Sequence, residues 1–309
     1  MADALPHDPL WPRAGAWPEP SDLEPGARAD LVLLGVPAWR TSLSPTNAHT
    51  TPAAIRAALR RYSPALAPGR GGPDEGRDLA GLQAADAGDV DEPDGPAGER
   101  RTAAAVASAL ERGSVLLALG GDNSVTVPVA LGAWGAELAT AGLVTLDAHL
   151  DLRDGVSNGS PVRRLVEAGL DPTRIVQIGI ADFANSGAYA RRAAGLGITV
   201  VHRDELHRRT PEEVMREAVA IAGAAGGPVH LDIDVDVCDR SVAPACPASV
   251  PGGLAAWELR ALVREAARDP RVRSADLVEI DATTDAPDGR TVRLAALCVL
   301  EMLAGISLR

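Results

Sequence analysis

Residues 143–154 read Leu-Val-Thr-Leu-Asp-Ala-His-Leu-Asp-Leu-Arg-Asp, an apolar run that breaks into acidic and imidazole side chains. Leu143 to Leu146 has the composition of a buried strand. Asp147, His149 and Asp151 follow at alternate positions, and in extended backbone alternate side chains point the same way. Two carboxylates and an imidazole converging where a strand ends form a metal site more readily than anything else. A second stretch repeats the pattern: Val229 to Leu231 lead into Asp232, Asp234 and Asp236. If the two strands lie side by side in a parallel sheet, both clusters meet at its carboxyl edge, where open α/β sheets place their ligands.

Strand and helix signals alternate on either side of these stretches. Before them come strand 30–36, a loop to Thr50, helix 51–61, a short strand near 81–85, helix 99–111, strand 114–119 and helix 125–134. After them come helix 161–168, strand 174–180, helix 186–194, strand 198–202, helix 211–224, strand 229–234, helix 255–268, strand 273–280 and helix 291–304. This predicts one three-layer α/β/α domain with a mainly parallel sheet over 29–309. Residues 1–28, rich in Pro, Gly and Trp without periodicity, read as an arm lying over the domain or over a neighbouring subunit.

A net charge of −12 argues against nucleic acid or an anionic membrane as partner. All 30 basic residues are arginine, which excludes a Schiff-base lysine and a phosphate-loop lysine. The three cysteines, Cys238, Cys246 and Cys298, form no CxxC pair and fit a reducing, cytoplasmic setting. No apolar run reaches membrane-spanning length, and the N-terminus lacks a signal-peptide pattern.

Four strand ends thus carry chemistry: Asp122 with Asn123 after Gly120-Gly121, then Asp147, His149 and Asp151, then Asp234 with Asp236, and Glu279. Asp122 alone reads more readily as a helix cap or loop brace than as a functional residue. Arg40 and Asn47, in the loop after the first strand, read either as substrate contacts or as solvated loop residues. The two aspartate clusters together are harder to explain without an ion, because unpaired carboxylates in a half-buried cleft repel one another. Oxygen-rich ligation with one imidazole suits manganese or a similar ion better than structural zinc. Such an ion lowers the pKa of bound water, and a hydrolase follows.

These residues resemble the ureohydrolase family, which includes arginase, agmatinase and formimidoylglutamase. The resemblance runs through Gly-Gly-Asp-Asn at 120–123, Asp-Ala-His-Leu-Asp at 147–151, Asn-Gly-Ser-Pro at 158–161, the run from Asp232 to Pro244, Pro-Gly-Gly at 251–253 and Leu-Val-Glu-Ile-Asp at 277–281. It implies an arginase-like fold, homo-oligomers such as trimers or hexamers, and two manganese ions. The family's Asp-x-Asp-x-x-Asp fits Asp234, Asp236 and Asp239, leaving Asp232 where a serine is usual. The implied ligands are Asp147, His149, Asp151, Asp234 and Asp236, with Asn123 at the position of a usual histidine ligand. An amide oxygen there is a poorer donor, so a single ion is also compatible.

Asn158-Gly159 stands where arginase and agmatinase have a proton-shuttling His-Gly. An amide cannot be a general acid, so proton delivery falls to Asp151, the bridging water or solvent. Formimidoylglutamases resemble this chain in lacking that histidine and in having Leu-Arg after the metal motif, here Leu152-Arg153. The resemblance therefore implies hydrolysis of N-formimidoyl-L-glutamate to glutamate and formamide. Arg153 and Asn185 would bind its ends and Glu279 its cationic nitrogens; Asn158 is a further substrate contact. A guanidino hydrolase releasing urea and a non-catalytic binding protein on the same fold are the alternatives.

Overall fold

The computed structural model describes residues 8–68 and 76–309. Eight strands form one parallel sheet: β1 (Ala29–Val36), β2 (Ala84–Asp89), β3 (Gly113–Gly120), β4 (Gly142–Leu146), β5 (Ile175–Ile180), β6 (Thr199–His202), β7 (Val229–Asp234) and β8 (Val272–Val278). Their order across the sheet is β2-β1-β3-β8-β7-β4-β5-β6, and each neighbouring pair runs parallel. The central strands β3, β4, β7 and β8 are buried almost throughout; β3 and β4 read as largely apolar runs, whereas β7 and β8 also bury His230, Asp232, Ser274 and Asp276.

Helices cover both faces. α1 (Thr51–Leu59), α6 (Pro211–Ala222), α7 (Ala256–Arg268) and α8 (Arg290–Ile306) close the larger core, in which Leu231, Ile233, Ala275 and Leu277 meet Leu262, Val299 and Met302. On the other face lie α2 (Gly95–Arg112), α3 (Thr126–Trp134), α4 (Pro161–Ala168) and α5 (Gly187–Leu196). Trp134, Leu143, Leu165 and Ile175 pack together there. Thr210 and Glu213 form a reciprocal cap that starts α6, a pattern written directly in the sequence.

Two expectations shift. The second strand spans Ala84–Asp89 rather than 81–85, because this edge strand carries Asp86 and Asp89, which pair with Arg56 from α1. α2 begins at Gly95, a turn before the expected 99, with Pro96 in its first turn. Of the N-terminal arm, residues 1–7 lie outside the described residues. The rest lies along its own domain: Ala14 N donates to Tyr62 O, and Arg28 reaches Leu110, Glu111 and Gly113 carbonyls. All three cysteines are free and buried, and no described helix is long and apolar enough to cross a membrane.

Candidate metal centre and substrate pocket

The strand order brings the four chemistry-bearing strand ends side by side as β3, β8, β7 and β4. Leu146 pairs with Ile233, so Asp147, one residue beyond β4, stands beside Asp234 at the end of β7. Val278 pairs with Asp234, which places Glu279 next in line. Asn123, just past β3, completes the row.

Local hydrogen bonds turn each cluster inward. Asp147 Oδ1 accepts from His149 N at 2.6 Å, and Asp234 Oδ1 accepts from Asp236 N at 2.9 Å. His149 Nδ1 then lies 3.0 Å from Asp236 Oδ2 and 3.3 Å from Asp147 Oδ1. Donor atoms of Asp147, His149 and Asp236 all fall within 4.8 Å of one another. Asp147 Oδ2 is buried with no hydrogen-bond partner. A buried, unpartnered carboxylate oxygen beside an imidazole and three further aspartates is a donor set that fits a divalent cation.

The electrostatics agree. Burial, then the Asp236 charge, raises Asp147 to about 6. Burial and neighbouring carboxylates hold Asp151 and Asp234 well above the ordinary range. Burial works against the His149 imidazolium, but Asp236 and Asp147 outweigh it and push its pKa to about 12. Burial likewise works to raise Asp236, yet His149 outweighs it and keeps that carboxyl below the usual value. Protons thus occupy a site whose ligands a metal would require ionised.

Two of these acids occupy backbone conformations that ordinary residues avoid. Asp151 has φ +50° and Glu279 φ +66°. The left-handed turn lets Glu279 face the cleft directly after β8 and Asp151 face it from the loop that follows β4. Glu279 Oε1 accepts from Asn123 N at 2.7 Å and from Asn158 Nδ2 at 2.9 Å. Burial, then the Asp122 charge, lifts Glu279 to about 8.

Asn123 does not offer its oxygen to this centre. Its Oδ1 accepts from Thr126 Oγ1 at 2.6 Å, while Nδ2 donates to Asp151 Oδ2 at 2.8 Å and Asp234 Oδ2 at 3.1 Å. The expected amide-oxygen ligand is, in this geometry, a donor that orients two carboxylates. Thr126 is the residue missed; three positions on at the start of α3, it was within helical reach of Asn123. Asn185 lines the cleft above the acids, and its amide is also engaged with the backbone. Its Oδ1 accepts from Leu150 N, and its Nδ2 donates to the Ala148 and Ala181 carbonyls, bracing the 147–151 loop.

Above the acids opens a cavity of about 350 Å³, walled by Leu43, Ser44, Arg153, Gly159, Ser186 and Tyr189. Its acidic lining residues are Asp151, Asp234, Asp236 and Glu279, all from the strand-end row. Arg153 is exposed at the wall, and among the described residues no hydrogen bond or ion pair engages its guanidinium. Leu43, Ser44 and Tyr189 carried no sequence signal. Asp122 caps the turn at 123–125, Asn47 ties to Asp281 and Thr283, and Arg40 pairs at the surface with Asp94.

The sequence profile of the Arginase family matches residues 29–305. The chain belongs to this family of metal-dependent hydrolases that act on linear amidines. It is 33% identical over 290 residues to a formimidoylglutamase of Halalkalibacterium halodurans, covering 91% of this chain and 88% of the relative. To an agmatinase of Bacillus subtilis it is 30% identical over 291 residues, covering 90% and 92%. The crystal structure of formimidoylglutamase from Bacillus subtilis superposes with a TM-score of 0.86 at 28% identity, over 100% of this chain and 96% of that one.

Proposed function

We propose that the protein hydrolyses N-formimidoyl-L-glutamate to glutamate and formamide. The observation that carries this choice is Arg153, an unpaired guanidinium on the wall of a pocket whose carboxylates all belong to the row at its base. A substrate with a cationic head and an anionic tail matches that polarity end for end. The identity to a formimidoylglutamase over most of both chains supports the same reading.

Asp147, His149, Asp151, Asp234 and Asp236 would hold manganese, and Asn123 would steady Asp151 and Asp234 through its amide hydrogens. The bound metal supplies Lewis-acid activation of water near neutral pH. Glu279, with Oε1 held by Asn123 and Asn158, keeps Oε2 for the amidinium nitrogens. Asp151, ionised as a ligand, would accept a proton as water attacks the amidine carbon and pass it on to the departing amine. The Arg153 guanidinium pairs with a carboxylate of the tail and fixes the amidine carbon over the acids.

The identity to an agmatinase supports a guanidino substrate as a second reading. Agmatine has a cationic tail, however, and would meet Arg153 with like charge. The deciding experiment compares glutamate and formamide release from N-formimidoyl-L-glutamate with urea release from agmatine and arginine, on manganese-loaded protein and its Asp234→Ala variant. Release of formamide that vanishes in the variant supports the proposal; urea without formamide overturns it.

A further inference from the structure

Asn158 and Gly159 touch both ends of the proposed substrate site. Asn158 Nδ2 donates to Glu279 Oε1, its Oδ1 accepts from Leu43 N at 3.0 Å, and its N donates to Thr41 O at 3.3 Å. One side chain thereby ties the acid that faces the amidine to the loop that forms a pocket wall. Gly159 does the matching task for the cation. Its carbonyl accepts from Arg153 N at 3.0 Å, and the Arg153 side chain passes close by its Cα. A Cβ at Gly159 would stand 2.7 Å from Arg153 Cδ, 3.1 Å from Nε and 3.3 Å from Leu43 Cδ1. The pair sits in a stiff turn, where Ser157 and Ser160 are both buried and Ser160 Oγ donates to Ser157 O at 2.8 Å.

We propose that Asn158-Gly159 is the spacer that sets the distance from Glu279 to Arg153, and so the length of the acidic amidine the enzyme accepts. The proposal rests on the reading that Arg153 binds a substrate carboxylate. Both residues are positioning residues in this scheme. Neither needs to react, and each acts through the charged group it places.

The test uses Gly159→Ala. The backbone there is outside the left-handed region, and the atom a methyl group would displace belongs to a flexible arginine, so the variant should fold. Kinetic constants are measured on manganese-loaded protein with N-formimidoyl-L-glutamate and with its one-methylene-shorter aspartate homologue. Gly159→Ala is expected to raise KM about fivefold and to change the ratio of kcat/KM between the two substrates by a similar factor. Asn158→Ala is expected to lower kcat about tenfold, with KM moving less. Arg153→Ala tells the two readings apart. If it raises KM about tenfold while Gly159→Ala leaves the substrate ratio unchanged, the spacer is wrong and the carboxylate reading stands. If Arg153→Ala leaves KM unchanged, the carboxylate reading falls and takes the spacer with it.

Discussion

His149 Nδ1 lies 3.0 Å from Asp236 Oδ2, joining residues that follow two neighbouring strands, β4 and β7. With only a proton between them, each partner is held in its charged form; a metal would replace that proton. Manganese should therefore stabilise the protein by roughly 3–4 kcal/mol at about 100 to 1,000 times Kd, and chelation should remove that gain. His149→Asn should abolish the manganese-dependent part of the melting temperature. A variant that melts with the same manganese increment as the parent would place the ion elsewhere.

The acids also set a pH dependence. Asp147, raised to about 6, and Glu279, raised to about 8, bind protons more tightly folded than unfolded. Their contribution to stability is complete below the ordinary carboxyl range and is lost as pH climbs through the folded values. Metal-free protein should thus melt higher at pH 5 than at pH 8. Asp236 runs the other way, but its lowered pKa puts that change below this window. Manganese should narrow or reverse the difference, because it binds the ionised acids. Melting curves at both values, with chelator and with manganese, check the sign.

Asn123 donates to two candidate ligands, so Asn123→Ala should weaken manganese binding by about 10- to 100-fold. Thr126→Val removes the hydroxyl that occupies the amide oxygen and should free the amide to turn. Its manganese affinity, read by titration calorimetry, should differ from the parent's. An unchanged value would show that Thr126 does not set the orientation.

Asn185→Ala strips a hydrogen-bond partner from Leu150 N and from the Ala148 carbonyl, a loss of about 1–3 kcal/mol in stability. Manganese affinity should fall with it, while KM at saturating manganese stays nearly constant. A raised KM with intact metal binding would return Asn185 to the substrate.

Asp151 and Glu279 both store backbone strain, with φ of +50° and +66°. Replacing either with glycine should relieve about 1–2 kcal/mol and remove a buried acid, raising the melting temperature of metal-free protein while turnover collapses. Thermal melts alongside activity reveal whether stability and catalysis trade in this way.

The sheet was legible because β3 and β4 are largely apolar runs with polar residues just beyond them, and the candidate metal residues stand after β4 and at the end of β7. β2 was misplaced because an edge strand carrying Asp86 and Asp89 has no apolar run to read. Apart from Thr126, the partners of Asn123 and Asn158 were not legible. Asn158 meets Leu43 and Glu279 from 115 and 121 positions away, and only the strand order brings them together. Arg153 was visible as a charge near the motif, but its freedom from any ion pair appears only in three dimensions.

That strand order also governs when the centre can exist during synthesis. The chain makes β3 and β4 early, yet they end up separated by β8 and β7, the last strands to emerge. A growing polypeptide that has reached residue 228 already owns Asp147, His149 and Asp151, but none of their partners from Asp234, Asp236 or Glu279. Two late strands must slot into the middle of a sheet rather than add to its rim, a long-range closure expected to be slow. Capture of manganese would then mark a completed sheet, and chains cut short before β8 should remain without the metal however well their first half has collapsed.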